Sequence, residues 1–212
     1  MREHEDEMAE YPADLEREVA TLDGFVVHLR PIRPDDEARL VALHSRLSSQ
    51  SVYLRFFGFH PTLSDSEVRR FTHVDYRDRL ALVIELDGRL GAVGRYDRLE
   101  GTTEAEVAFV VDDELQHQGL GTVLLDELAR AAWERGITRF MAHTLAQNAA
   151  MLHVFWRSGF PVTTDFELGD VRVRFPIEPV PAYLAALAER EVARRVRSGS
   201  VPPAGGGPRP AP

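Results

Sequence analysis

The stretch from Glu106 to Gly121 reads EVAFVVDDELQHQGLG, and it decides the fold of this chain. Its first six residues are mostly β-branched or aromatic, which is typical of a strand. From Leu120 onward apolar residues recur at spacings of three and four with charged residues opposite, so we expect a helix that ends near Gly136. A strand, a turn with two glycines and an amphipathic helix therefore follow one another.

The turn between this strand and this helix has the properties of an anion site. The first turn of a helix carries a partial positive charge and backbone N–H groups without intrahelical partners. Gly119 and Gly121 would let a phosphate approach that backbone closely. A dinucleotide fingerprint would need a third glycine at Leu124, and a P-loop would need a Gly-Lys-Ser/Thr sequence, which is absent. The alternative is an ordinary strand–helix turn that contains two glycines.

Two motifs resemble those of a known superfamily. The pattern Gln116-x-x-Gly119-x-Gly121 after a strand is similar to the signature of the GNAT acyl-CoA-dependent N-acetyltransferases. The segment 148–160, which begins with Asn148 and ends in Gly-Phe, resembles a second GNAT segment at the family's spacing. The run 51–96 further looks like the catalytic domain of bacterial Pat-type protein-lysine acetyltransferases.

The resemblance implies that acetyl-CoA is the acyl donor and that its pyrophosphate lies against the turn. The segment after Asn148 would line the pantetheine and adenosine side, although Asn148 also suits a helix N-cap. Many family members have a Tyr that protonates the leaving thiolate where this chain has Phe155, which cannot donate a proton. The expected coenzyme A-binding residues are Phe109, Val110, Val111, Gln116, His117, Gln118, Gly119, Leu120, Gly121, Thr122, Asn148, Met151 and Phe155.

Glu106 is the candidate catalytic base. Strand alternation places it on one face with Glu104, Ala108 and Val110, and Glu104 better suits an exposed rim position. In the protein-acetylating branches of the family a Glu in a similar strand is the general base, and Glu106-Val107-Ala108-Phe109 looks like that strand. A base is needed because a lysine with a pKa of about 10.4 is almost wholly protonated at neutral pH.

Composition argues against several other kinds of site and partner. The absence of cysteine removes disulfides, thiolate metal sites and a cysteine nucleophile, and the histidines show no spacing typical of a metal site. A net charge of −9 argues against nucleic acid and suits a cationic acceptor. The N-terminus does not resemble a signal peptide, and no apolar run approaches a membrane span. We expect a cytoplasmic protein without metal or membrane, a monomer or a homodimer.

The chain is long enough for one domain with tails. We expect an acidic flexible arm over 1–20, a GNAT domain over 21–180, a C-terminal helix over 181–197 and a disordered tail over 198–212. The arginines of that helix, Arg190, Arg194 and Arg197, are interpreted first as a solvated face and second as a docking patch.

The resulting fold is a mixed α/β GNAT fold. Its sheet should have about six or seven mostly antiparallel strands, splayed at one parallel pair, with about four helices around it. Asp87-Gly88 predicts a hairpin, and Gly91 and Gly94 predict a bulge or a close approach in its second strand. The predicted function is transfer of an acetyl group from acetyl-CoA to an amine, with a protein lysine favoured. The alternatives are a small-molecule amine as acceptor, or a non-catalytic acyl-CoA-binding sensor.

Overall fold

The computed structural model describes residues 10–21 and 23–197, and a mixed sheet of eight strands lies at its centre. The strands are β1 (Arg17–Ala20), β2 (Val26–Pro31), β3 (Arg79–Leu86), β4 (Arg89–Arg98), β5 (Glu104–Val111), β6 (Arg139–Leu145), β7 (Thr163–Glu167) and β8 (Asp170–Pro176). The α-helices are α1 (Glu37–Arg46), α2 (Ser49–Phe56), α3 (Asp65–Thr72), α4 (Leu120–Glu134), α5 (Ala149–Trp156) and α6 (Pro181–Arg197). The order across the sheet is β1-β2-β3-β4-β5-β6-β8-β7.

The strands β5 and β6 form the predicted parallel pair, and every other neighbouring pair is antiparallel. Their pairing runs only from Glu104↔Arg139 to Glu106↔Met141. Beyond that point β5 continues to Val111 along β4, and β6 continues to Leu145 along β8. The two strands therefore diverge, as the sequence predicted, and leave a gap at the centre of the sheet.

Alternation along β5 separates the two faces of the sheet. Val107 and Phe109 belong to the core on the side of α4, whereas Val110 packs with the smaller cluster beneath α1 and α3. Glu106 and Ala108 share the face of Val110 because side chains alternate along a strand. The helix α4 connects β5 to β6, and nine of its residues are buried. It ends as predicted, with Gly136 in the left-handed region at φ 75°.

The hairpin β3–β4 is confirmed together with the irregularity predicted in its second strand. Asp87 and Gly88 form the turn at φ 49° and 74°. Ile84 pairs with Ala92 and Glu85 with Leu90, so Gly91 is the extra residue of a β-bulge. Gly94 marks a close approach by side chains rather than by backbone, since a Cβ there would lie 2.9 Å from Leu128 Cδ1.

The described residues form eight strands, one more than the six or seven expected, and six α-helices, where about four were expected. One added strand is β1, which lies in the segment expected to be a flexible arm and pairs with β2 from Arg17↔Leu29 to Ala20↔Val26. Leu15 is buried, and the ring of Tyr11 packs edge-on against Tyr76. Residues 10–20 are thus part of the fold because apolar anchors hold them despite their acidic composition. Residues 1–9 lie outside the described residues.

The C-terminal helix α6 has the predicted bounds, but its arginines do not form a solvated face. Arg190 is buried and binds the buried carboxylate of Asp126 on α4, and Arg194 binds the same carboxylate. The interpretation as a solvated face was therefore wrong for these two residues. The side chain of Arg197 and the tail 198–212 lie outside the described residues.

Residues 10–21 and 23–197 contain neither a candidate membrane-spanning helix nor a candidate metal site. No helix there combines the length and the apolar character needed to cross a membrane. The same residues contain no group of three or more His, Asp or Glu side chains placed to hold a metal ion.

Candidate active site

A slot opens in the sheet where β5 and β6 diverge. Its walls come from both strands, from α5 and from the end of α2. The residues that line it are Leu54, Arg55, Val107, Ala108, Phe109, Ala142, His143, Thr144, Asn148, Met151 and Phe155. Four of the residues predicted to bind coenzyme A, Phe109, Asn148, Met151 and Phe155, therefore meet at one place. We call this cavity the β5–β6 slot.

Asn148 has the capping role that its sequence suggested. Its side-chain oxygen accepts a hydrogen bond of 3.2 Å from the Met151 N–H at the start of α5. Since Asn148 also lines the slot, the capping role and a ligand-facing position occur together.

The buried part of the slot lining includes an aromatic ring and one hydroxyl. Phe155 is 1% exposed, and its ring lies edge-on to that of Phe109 with 6.1 Å between centroids. Thr144 is 3% exposed, and its Oγ1 has no hydrogen-bond partner among the described residues. A buried hydroxyl without a partner is costly, so a polar ligand in the slot would satisfy it.

The turn before α4 has the backbone shape that its glycines indicated. Gly119 is the N-cap of α4 at φ 79°, and His117 is also in the left-handed region at φ 64°. The N–H groups of Thr122 and Val123 both donate to the Gly119 carbonyl at 3.1 Å. The N–H groups of Leu120 and Gly121 therefore stand at the mouth of the helix, where an anion binds well.

The side chain of Gln116 braces this turn instead of facing outward. Its Nε2 donates to Ser51 Oγ at 3.1 Å and to the Val111 carbonyl at 3.4 Å. Gln118 similarly donates to the Glu114 carbonyl at 3.4 Å. Both glutamines thus hold the backbone of the turn in place.

Asp113 connects α2 to the same turn through a contact that the sequence did not predict. Its carboxylate accepts hydrogen bonds from the Ser48 N–H at 2.9 Å and from the hydroxyls of Ser48 and Ser51 at 2.7 Å. Burial raises the pKa of Asp113, but these hydrogen bonds outweigh it and hold the pKa below its usual value. The Ser48 cap, which accepts a bond from the Ser51 N–H, was the available sequence signal.

The three consecutive residues predicted to bind coenzyme A on β5 do not share one environment. Phe109 lines the β5–β6 slot, Val110 lines a second cavity on the opposite face, and Val111 packs against the larger core. Strand alternation is the cause.

The second cavity lies between the sheet and the helices α1 to α3. Its walls are mostly aliphatic and aromatic, with two arginines and one histidine. The lining residues are Leu40, Leu43, His44, Leu47, Arg55, Phe56, Leu63, Phe71, Val93, Arg95, Ala108 and Val110. We call it the arginine cleft. Arg55 and Ala108 line both cavities, so the cleft adjoins the slot there.

The two glutamates of β5 have different surroundings. Glu104 is half-buried and forms an ion pair with Arg139 at 2.7 Å, so the expectation that Glu104 rather than Glu106 takes an exposed rim position was wrong. Glu106 is exposed and lies at the last β5–β6 pair, opposite Met141, on the sheet face of the arginine cleft. Across the described part of the chain it forms no ion pair, and Arg55 is close enough to feel its charge. A carboxylate that is free of partners at this junction can accept a proton.

Comparison with known proteins agrees with this geometry. Residues 27–161 match the family model described as acetyltransferase (GNAT) domain.

The chain belongs to the GNAT acetyltransferase family.

Pat-like members of the GNAT family are among its relatives. The chain is 36% identical over 163 residues to acetyltransferase Pat of Mycolicibacterium smegmatis, an alignment that covers 74% of this chain and 47% of Pat. It thus spans about half the length of that relative. It is 30% identical over 142 residues to acetyltransferase PA5475 of Pseudomonas aeruginosa, which covers 65% of this chain and 76% of that protein.

A solved structure supports the same assignment. The GNAT domain of S. lividans PAT is 42% identical, with a TM-score of 0.75, and the match covers 79% of this chain and 99% of that domain. The resemblance to the GNAT superfamily and to Pat catalytic domains is therefore confirmed.

Proposed function

We propose that this chain transfers an acetyl group from acetyl-CoA to an amine, and that the amine is the side chain of a protein lysine. The observation that carries the proposal is the β5–β6 slot in a member of the GNAT family. The start of α4 at Gly121 lies against Val154 of α5, the helix that forms one wall of the slot. The preference for a protein lysine rests on the resemblance to Pat catalytic domains.

The fit of acetyl-CoA to this site follows from the residues present. The backbone N–H groups at the mouth of α4 would hold the pyrophosphate. Pantetheine would lie along the slot, whose apolar walls include Phe109 and Met151, with Asn148 and Thr144 as polar groups. The thioester would then reach the junction near Glu106, where β5 and β6 part.

The amine nitrogen must lose two protons, and the leaving sulfur must gain one. Glu106 accepts the first proton from the attacking ammonium, directly or through a water, and the neutral amine attacks the thioester carbonyl. The tetrahedral intermediate then breaks its C–S bond and its nitrogen gives up the second proton, which neutralises the coenzyme A thiolate, so that the products are the acetylated amine and coenzyme A thiol. Phe155 has no group that could protonate a thiolate. The hydroxyl that lines the same slot belongs to Thr144.

Two alternatives are tested together with the proposal. One is a small-molecule amine as acceptor, and the other is a sensor that binds acyl-CoA without turnover. The experiment follows coenzyme A thiol release with lysine peptides and with a panel of small amines, while calorimetry measures acetyl-CoA binding. We expect thiol release with peptides. Binding without release on any acceptor would support the sensor.

Gly121→Glu is the binding control for this experiment. A Cβ at Gly121 would have only an ordinary contact, 3.5 Å from Val154, so the fold should persist. The added carboxylate would repel the pyrophosphate, so acetyl-CoA binding should be lost. Micromolar binding by this variant would contradict the position of the pyrophosphate.

Glu106→Gln tests the catalytic role, with Glu104→Gln as its matched control on the same strand face. We expect Glu106→Gln to lower kcat about 100-fold at pH 7 without changing acetyl-CoA affinity. Part of the rate should return as pH rises because more of the amine is then neutral. Wild-type turnover by Glu106→Gln would exclude Glu106 as the base.

A cytoplasmic location and a monomeric or homodimeric state, without nucleic acid or membrane as partners, stay predictions.

A further inference from the structure

Two arginines face the arginine cleft without a carboxylate partner. Arg95 is 7% exposed, donates one hydrogen bond of 2.9 Å to the Phe71 carbonyl, and lies with its guanidinium 4.3 Å from the centroid of the Phe71 ring. Arg55 is half-buried, and its guanidinium lies 5.1 Å from the centroid of the Phe56 ring. Neither makes an ion pair within residues 10–21 and 23–197. A guanidinium has five N–H donors, so much of this donor capacity is unused.

The charges around the two arginines leave a local positive excess. Burial lowers the pKa of Arg95 to about 9, and the neighbouring charge of Arg55 acts in the same direction. Asp97 raises the pKa of Arg95, but the Asp97 carboxylate is already paired with Arg79 at 3.0 Å and with Arg70 at 3.8 Å. Burial also lowers the pKa of Arg55, which Glu106 and Asp97 oppose. The cleft is therefore cationic although the whole chain has a net charge of −9.

A third polar group in the cleft has no partner. His44 is 7% exposed, and its Nε2 makes no hydrogen bond to any described residue. Burial lowers the pKa of His44, so the ring is neutral at pH 7. Apart from Arg55 and Arg95, the other residues that line the cleft are apolar.

Unpaired buried cations are expensive, and contacts with aromatic rings offset only part of that cost. A carboxylate is the ligand that suits adjacent guanidinium groups, because it accepts paired charge-assisted hydrogen bonds. Because the cleft adjoins the slot and lies on the face of Glu106, its ligand would arrive from the acceptor side.

We propose that Arg55 and Arg95 bind a carboxylate of the acceptor, so that the acetylated amine belongs to a molecule or peptide with a carboxylate near that amine. The proposal rests on the proposed acetyl transfer and narrows its substrate class. The carboxylate can come from two sources. It can be the main-chain carboxylate of a free amino acid derivative, or an acidic side chain next to a lysine in a peptide.

Matched acceptors separate these sources. Nα-acetyl-lysine and Nα-acetyl-lysinamide differ only in the main-chain carboxylate. Two amidated peptides with a Glu or a Gln next to the lysine differ only in the side chain. We expect kcat/KM to be about tenfold or more higher for the acidic member of one pair. The pair that shows the difference identifies the source.

Variants of the two arginines test the assignment to the cleft. Arg55→Gln should remove the preference for the acidic acceptor, and Arg55→Lys should restore part of it. Because Arg55 also lines the β5–β6 slot, both variants are compared with wild type at saturating acetyl-CoA. Arg95→Gln should act in the same direction if it folds, and Arg55→Gln keeps the test valid if it does not. Arg69→Gln is the charge control, because Arg69 is exposed on α3 and lies outside the cleft.

A direct binding measurement separates failure of this inference from failure of the proposed function. Calorimetry of the wild-type chain with glutarate and with glutaramide requires no turnover. Tighter binding of glutarate that is lost in Arg55→Gln would support the carboxylate site even if no acceptor is acetylated. Equal binding of glutarate and glutaramide, or equal kcat/KM within both acceptor pairs, would overturn it.

Discussion

At the scale of single residues, the slot combines an aromatic ring with one unsatisfied hydroxyl. Phe155 occupies the position where a Tyr would supply a proton, and Thr144 Oγ1 is buried in the same slot without a partner among the described residues. Since a buried hydroxyl without a hydrogen bond destabilises a protein, Thr144 is more easily explained by ligand binding than by stability.

Thr144→Val tests this explanation with an isosteric side chain. We expect kcat to fall about tenfold because one hydrogen bond to coenzyme A is lost. The melting temperature should stay the same or rise, since an unsatisfied hydroxyl has been removed. Thermal unfolding and thiol release measure the two effects, and Thr163→Val is the control because Thr163 is exposed on β7.

Phe155→Tyr completes the comparison in the same slot. The wild-type thiolate should leave without help from position 155, so this variant should stay within a few-fold of the wild-type rate. An unchanged kcat in Thr144→Val would show that the hydroxyl has no part in the reaction. A gain of about 100-fold in Phe155→Tyr would mean that the wild-type site lacks its acid.

At the scale of elements, β4 can pack closely beneath α4 because residue 94 of β4 is a glycine and has no side chain. A Cβ at Gly94 would lie 2.9 Å from Leu128 Cδ1, 3.0 Å from Phe109 Cδ1 and 3.1 Å from Leu124 Cβ. Phe109 also lines the β5–β6 slot. The packing of α4 on the sheet is therefore connected to the shape of the slot.

Gly94→Ala should destabilise the fold by about 1–3 kcal/mol, because the added methyl overpacks this contact. Urea unfolding measures the change. Gly58→Ala is the control, since a Cβ there would meet nothing within 4 Å, and its stability should be unchanged or slightly higher. Equal stability of Gly94→Ala and wild type would show that α4 can shift away from the sheet without cost.

At the scale of the whole molecule, α6 is packed into the domain rather than appended to it. Tyr183 stacks on Phe160 with 4.0 Å between ring centroids. A Cβ at Gly159 would lie only 2.8 Å from that of Ala186. Arg190 donates to Asp126 at 2.7 Å and 3.1 Å and to the Ser158 carbonyl at 3.2 Å. The expected boundary between the domain and this helix therefore separates residues that share one core.

Asp126→Asn should destabilise the whole domain by about 3–5 kcal/mol, because it leaves two partly or fully buried guanidinium groups without their carboxylate. The measurement is urea unfolding followed by tryptophan fluorescence. Glu134→Gln is the control on α4, since Glu134 is exposed and, among the described residues, its ion-pair partner is Arg130. A loss in Asp126→Asn no larger than in this control would mean that α6 contributes little to stability.

The sequence by itself determined the features that depend on neighbours along the chain. The β5 strand, the glycine turn, α4 and the Asp87-Gly88 hairpin are set by side-chain periodicity and by backbone conformations that favour glycine. The Asn148 cap likewise needs only a residue three positions away. The motifs carried by these elements were enough to predict the GNAT family.

Only the tertiary structure decided which charges have partners. Asp126 and Arg190 are 64 residues apart, and nothing local shows that they meet. β1 pairs into the sheet through long-range contacts although its segment is acidic. The arginine cleft brings together His44, Arg55 and Arg95 from three separate elements. Burial and ion pairing depend on distances that folding creates between remote parts of the chain, so composition and periodicity cannot specify them.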